Sequence, residues 1–135
     1  MSDYESEYNN RARVPEHPAI IAGWAKDAAA YRAEASCELA VSYGPSPRQH
    51  YDLFRPQQMK GDALAVFLHG GYWQTLDPSF FSHMAKGLNA RGVAVALLGY
   101  DLCPEVGIAD IISQVRYACA ELHRRFGLPL VAYGH

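Results

Sequence analysis

Long apolar runs are missing from this 135-residue sequence. Nothing in it approaches the ~20 consecutive apolar residues that a membrane-spanning helix requires, so no membrane partner is expected. Charge of one sign is missing too. Twelve Lys and Arg stand against fourteen Asp and Glu, leaving no basic excess to neutralise phosphates, so nucleic acid is not an expected partner. Cysteine is scarce. Cys37, Cys103 and Cys119 are odd in number, lie far apart and form no C-x-x-C pair, which fits reduced thiols and a cytoplasmic location. The first residues, Met1-Ser2-Asp3-Tyr4-Glu5, are acidic and carry no apolar stretch, so they are not read as a signal peptide. No His/Cys/Asp cluster has metal-ligand spacing. Neither G-x-x-x-x-G-K-[ST] nor G-x-G-x-x-G occurs, so neither a metal nor another cofactor is expected. There is no internal repeat and no low-complexity tract. What the sequence does have is apolar mass. Hydrophobic residues make up 50% and charged ones 19%, the balance of a packed core rather than of a disordered chain. The length suits one small domain or a large piece of a bigger one.

Residues 1–14 are polar and read as a surface arm. Pro15 and Pro18 then open a helix, with Ile20, Ile21, Trp24, Ala28 and Tyr31 forming a stripe at 3–4 spacing that fades near Ala35. From Cys37 the rhythm changes. Glu38–Tyr43 and His50–Arg55 alternate roughly in twos about the turn cluster Gly44-Pro45-Ser46-Pro47, which predicts an antiparallel hairpin. Ala63–Leu68 is a continuous apolar run, as expected of a strand buried on both faces. Asp77-Pro78 predicts a helix start, Phe80, Phe81, Met84 and Leu88 a helical stripe, and Gly92 its left-handed end. Val93–Leu98 reads as a second buried strand. Ile108, Ile111, Ile112, Val115, Cys119, Leu122 and Phe126 mark a long amphipathic helix ended by Gly127. Pro129–Tyr133 reads as a third buried strand. Strand–helix–strand–helix–strand predicts an α/β fold with a parallel sheet and right-handed crossovers. A buried strand that runs to the last residue, Gly134-His135, lacks the element that would cover it. The chain is therefore expected to be the front part of a longer domain, with an exposed sheet edge open to self-association or a homodimer.

The chemistry-bearing motif is His69-Gly70-Gly71-Tyr72-Trp73, directly after the first buried strand. Parallel sheets bind ligands at the carboxyl ends of their strands. Adjacent glycines there let the backbone approach a substrate and aim N–H groups into a cavity. Acyl transfer needs such donors, because the carbonyl oxygen becomes an anion in the tetrahedral state. Gly-Gly alone also suits a plain tight turn; the full His-Gly-Gly-aromatic-Trp pattern in this place is far more specific. At the other end, Tyr133-Gly134-His135 finishes a strand and supplies the first two positions of the G-x-S-x-G elbow, with the serine position falling after residue 135.

With these motifs in hand, the chain resembles the α/β-hydrolases of the kynurenine formamidase (arylformamidase) and related esterase group. Glu7-Tyr8-Asn9-Asn10 and Val14-Pro15-Glu16-His17-Pro18 resemble that group's N-terminal segment, and Tyr51–Pro56 its second strand. His69–Trp73 resembles its signature loop, Tyr100-Asp101-Leu102-Cys103-Pro104 the segment after its fourth strand, and Gly134-His135 the start of its Gly-His-Ser elbow. The resemblance implies that 15–135 is the N-terminal portion of one α/β-hydrolase domain: an N-terminal helix, an antiparallel hairpin, then parallel βαβαβ. It implies a metal-free serine hydrolase acting on an aryl formamide or ester, with N-formylkynurenine as the leading substrate. It implies an oxyanion-hole loop at Gly70, Gly71 and Tyr72, and a Ser–Asp–His triad whose members all lie beyond residue 135.

The residues present do not assemble a triad by themselves. His69 precedes the loop and reads as a structural hydrogen-bonding residue; His83 and His123 read as surface or edge residues of helices. His135 occupies the variable elbow position. Ser79, Ser82 and Ser113 fall on helices rather than at an elbow. Tyr72 and Trp73 are candidates to line a substrate pocket, while Trp73 suits core packing under the loop equally well. Asp101 reads as a loop carboxylate holding backbone N–H groups, and Cys103 as a packed thiol. Two other readings stay open: a general carboxylesterase with the same machinery, and an inactive remnant without catalysis.

Overall fold

The computed structural model describes residues 3–135; Met1 and Ser2, the first positions of the arm and of the acidic N-terminus, lie outside the described residues. One sheet organises the chain. Its strands are β1 (Ser36–Ser42), β2 (His50–Arg55), β3 (Leu64–Leu68), β4 (Val95–Leu98) and β5 (Leu130–Gly134), in spatial order β1-β2-β4-β3-β5. β1 pairs antiparallel with β2, and β2 antiparallel with β4; β3 runs parallel to both β4 and β5. The expected hairpin followed by parallel βαβαβ is the architecture observed. No helix is long and apolar enough to cross a membrane among the described residues.

The apolar run of β3 is buried because both faces of the sheet are covered. Leu64 and Val66 pack toward α5 (Ile108–Phe126), against Ala118 and Leu122. Ala65 and Phe67 pack the opposite way, against Phe81 and Ala85, in the layer that also holds Tyr31 of α3 (His17–Glu34). β2 departs from its alternating pattern: Tyr51, Asp52, Leu53 and Phe54 are all buried, because the strand lies between two neighbours with packed layers on both sides. In β1 the register shifts between Glu38 and Val41. Ala40 there takes a left-handed φ of 53°, and its N–H donates to the buried carboxylate of Asp52 at 2.8 Å.

Three expectations are corrected and a fourth is sharpened. The surface arm is helical, in α1 (Tyr4–Tyr8) and α2 (Asn10–Arg13), each capped locally by Asp3 or Asn9. Neither helix contains a buried residue. The stripe of α3 runs off the core at its start, where Ile20 is exposed. The segment after Asp77 is not one helix. Asp77 caps as expected, accepting from Ser79 N at 2.8 Å, but two 3-10 turns, Pro78–Phe80 and Ser82–Ala85, precede the short α4 (Lys86–Asn89). The guanidinium of Arg32 donates to the carbonyl of Ser79 at 2.6 Å and to Ser82 Oγ at 2.8 Å, taking a carbonyl that a continuous α-helix would need for its own ladder. Finally, β5 is not buried. It pairs with β3 on one side, and Val131 and Ala132 are exposed.

Asn89 joins three elements. Its carbonyl accepts from Tyr31 Oη at 2.6 Å, and its amide donates to the carbonyls of Phe54 at 3.2 Å and Val93 at 2.9 Å. Asn89→Leu strands a buried hydroxyl and two carbonyls, so it is expected to destabilise the fold by about 2–4 kcal/mol. Urea unfolding of the two proteins measures this; equal midpoints would show that the network is dispensable.

Candidate active site

The topology makes a crevice. From β3 the chain steps to β4 on one side, then crosses through α5 to β5 on the other, and ligands bind at such switch points outside the carboxyl ends of parallel strands. A groove of about 820 Å³ lies there. His69 to Trp73 form one wall, Gly134 and His135 at the end of β5 another, and Ile111, Ile112 and Val115 of α5 an apolar flank. The structure thus brings together all seven residues singled out in the two motifs.

The loop is unusual in its backbone. Gly71 has φ 115°, and Tyr72, Trp73 and Leu76 hold left-handed φ values of 53°, 57° and 69°. Non-glycine residues seldom adopt these values, and when they do the surroundings must impose them. Here the surroundings are visible. The carbonyl of Gly71 accepts from the N–H of Gln74 at 3.0 Å and of Thr75 at 3.2 Å, and Cys103 N–H donates to the carbonyl of Trp73 at 2.8 Å. Arg48 donates to the carbonyls of both Leu76 and Tyr100. A Cβ at Gly71 would sit 2.4 Å from the Thr75 carbonyl oxygen, so this position admits only glycine.

Two peptide planes are pinned at the start of the loop. The hydroxyl of Tyr100 donates to the carbonyl of His69 at 2.7 Å. The carbonyl of Gly70 lies 2.8 Å from His69 Nδ1, which fixes the tautomer that carries its proton on Nδ1. In a trans peptide the N–H points opposite to its C=O, so the N–H groups of Gly70 and Gly71 are turned away from Tyr100 and the His69 ring. Among the described residues, the backbone N–H groups of Gly70, Gly71, Tyr72 and Trp73 have no protein acceptor. Successive free N–H groups with left-handed backbone form an anion-binding concavity.

His69 is built in rather than displayed. It is 4% exposed and stacks on Tyr100 with ring centroids 4.4 Å apart, with Phe81 on its other face at 6.0 Å. Its Nε2 has no partner among the described residues. Burial holds its pKa below the ordinary histidine value, with the Gly70 carbonyl opposing that shift. The structural reading of His69 fits this placement. Gly70 faces the end of β5: a Cβ on it would lie 2.8 Å from His135 Nδ1 and 2.9 Å from the His135 carbonyl oxygen. His135 itself leans on Trp24, ring centroids 5.3 Å apart. Tyr72 and Trp73 are about half exposed, at 54% and 48%, so Trp73 lines the groove rather than the core.

Other placements differ from expectation. Asp101 binds side chains, not backbone N–H groups: Ser46 Oγ donates to one carboxylate oxygen and Gln114 Nε2 to the other at 2.9 Å. His83 is half-buried and sits on a 3-10 turn, while His123 is exposed on α5, in keeping with its surface reading. Arg48 carried no signal in the sequence, and Tyr100 and Asn10 stood in segments of family resemblance without a site role of their own. Nothing local to Tyr100 tells that its hydroxyl will reach a carbonyl 31 positions away. No group of three or more His, Cys, Asp or Glu is placed to hold a metal among the described residues.

No family model matches the sequence. A kynurenine formamidase of Salmo salar is 34% identical over 89 residues, covering 65% of this chain and 30% of that protein. A crystal structure of a protein from Silicibacter sp., provisionally named a thioesterase, superposes with a TM-score of 0.92 at 35% identity, over 100% of this chain and 52% of that one. Esterase B of Lactobacillus rhamnosis superposes with a TM-score of 0.64 at 23% identity, over 91% of this chain and 45% of that one, a likeness of fold. The chain therefore has an α/β-hydrolase fold and is similar to kynurenine formamidases and esterases. It spans about a third of the curated relative's length and about half of the solved structures.

The depressed pKa of His69 sets a pH dependence. Unfolding frees the ring to take up a proton at its ordinary pKa, so the unfolded state binds more protons just below that value. The stability from neutral His69 is complete above about pH 6.5 and falls as pH drops through that value toward the lowered folded pKa. The expected result is a falling Tm between pH 7 and 5, with a shallower slope in His69→Gln. Identical slopes would place the pH dependence elsewhere.

Proposed function

We propose that the whole protein is a serine-type hydrolase, an arylformamidase that converts N-formylkynurenine to kynurenine and formate, with no metal. The run of unpaired N–H groups at Gly70–Trp73, beside the end of β5, is the observation that carries this reading. The relative from Salmo salar supports the choice of substrate. In this reading the nucleophile is a serine directly after His135, and the acid and base lie further along the whole protein.

On this reading the chemistry is acyl transfer through a formyl-serine. Serine Oγ attacks the formyl carbon, its proton passing to the histidine base. The carbonyl oxygen becomes an anion and is received by the N–H groups of the His-Gly-Gly loop, already oriented by Tyr100 and His69, so no reorganisation is needed as charge develops. Collapse breaks the C–N bond, and the arylamine leaves with the proton from the base. Water then attacks the formyl ester under the same base and releases formate. The apolar flank from α5 receives the aryl ring. Formyl is the smallest acyl group, so an arylformamidase has little to place on the acyl side and much on the leaving-group side.

Gly70→Ala tests this in the whole protein. Its Cβ must push the end of β5 away from the loop, so kcat for a formanilide should fall about 100-fold. Displacing the His135 backbone lowers the thermal midpoint somewhat, so kcat is compared at a temperature where both proteins are fully folded. Unchanged kcat would reduce the loop to a turn. Comparing formanilide with phenyl acetate separates the formamidase from the general esterase, and full activity in EDTA is expected. The 135-residue chain itself should not turn over p-nitrophenyl acetate; hydrolysis abolished by a serine-directed phosphonate would overturn the placement of the nucleophile.

A further inference from the structure

We propose that Asn10, on the N-terminal arm, is a specificity-determining residue of this groove that acts by positioning Tyr72. The proposal rests on the reading of the groove as a substrate site, but its structural half stands apart from that reading. Tyr72 lines the main groove and also a second cavity of about 350 Å³, which lies between the loop and the arm and is bordered by Tyr4, Tyr8, Arg11 and Gln74. Asn10 and Gly71 border both spaces as well, so the Tyr72 ring and the Asn10 side chain that holds it together form the partition. Packing does not hold it there, since Tyr72 is half exposed on a left-handed backbone. Its position is set at the hydroxyl. Asn10 Nδ2 donates to Tyr72 Oη at 2.7 Å, and Tyr72 Oη reaches the carbonyl of Tyr8 at 3.4 Å.

The arm is suited to be a latch rather than a fixed wall. Its helices of five and four residues bury nothing, and helices this short draw little stability from their own bonds. Beyond the Tyr72 contacts, the arm is tied to the loop by Arg11 Nη2 on Thr75 Oγ1 at 3.4 Å. With the latch made, the groove is closed on the arm side and takes a compact aryl group. With it broken, the Tyr72 ring is free to swing and the two cavities join, admitting a longer aromatic group. Asn10 thus sets the size limit for the leaving-group side.

The test uses the chain as it is, with Asn10→Leu, Asn10→Asp, Tyr72→Phe and the Asn10→Leu/Tyr72→Phe pair. Formanilide and N-(biphenyl-4-yl)formamide serve as compact and long ligands, titrated by calorimetry. Asn10→Leu should raise affinity for the long ligand relative to the compact one about tenfold. Asn10→Asp should keep the original ratio, because Tyr72 O–H can donate to the carboxylate. Tyr72→Phe should match Asn10→Leu, and the pair should add nothing further. An unchanged ratio in Asn10→Leu, or effects that add in the pair, would overturn the proposal. If the unaltered chain binds neither ligand, the specificity role of Asn10 in this chain fails, and the latch is judged by hydrogen exchange alone. The Gln74 and Thr75 amides, both bonded to the Gly71 carbonyl, should then exchange about tenfold faster in Asn10→Leu and not in Asn10→Asp. Equal rates in the original chain and Asn10→Leu sink the latch.

Discussion

The parallel strand β3 has no free side, and the rest of the molecule answers to that. β4 and β5 satisfy its two edges, while the two packed layers take its alternate side chains. A strand enclosed in this way leaves the sheet only at its end. At Leu68 the chain passes from full enclosure to an open groove within a few residues, and the reversal is concentrated at Gly71–Trp73. The left-handed backbone of the site lies where the enclosed strand gives way to the groove.

Holding that reversal falls to side chains from elsewhere in the chain. Arg48 comes from the hairpin turn, Tyr100 from the end of β4, and the Asp101 carboxylate ties Ser46 to Gln114 of α5. Buried polar groups of this kind stay only when they are paired, so each loop at this end of the sheet is braced by a residue of another. Burial keeps the Tyr100 phenol protonated, with its pKa raised, and keeps His69 neutral. The donors that orient the peptide planes are therefore fixed in charge as well as in place.

The strands and long helices were legible because their signals are local and repetitive. The apolar run of β3, the turn cluster at Gly44–Pro47 and the stripe of α5 each suffice alone, and Gly92 and Gly127 occupy the left-handed positions expected of them. The His-Gly-Gly motif was legible because its residue types are chosen by backbone geometry. What escaped depends on distant partners. The helix after Asp77 is broken by Arg32, 47 positions away from Ser79. Asp101 takes side-chain partners because the hairpin turn and α5 converge on it. The arm's bond to Tyr72 spans 62 positions, and no periodicity announces such a contact.

The bulge in β1 has a consequence for how the sheet can be extended. Ala40 breaks the regular spacing of donors and acceptors on that margin, and Asp52, buried beneath it, locks the irregularity in place. A flat run of backbone groups is what an incoming strand needs, and a bulge removes it. β5 keeps an unbroken register with β3 from Leu64↔Leu130 to Leu68↔Gly134, so its outer margin is regular. The sheet is polar in its growth: further strands can be added past β5 in register, whereas the β1 side refuses them.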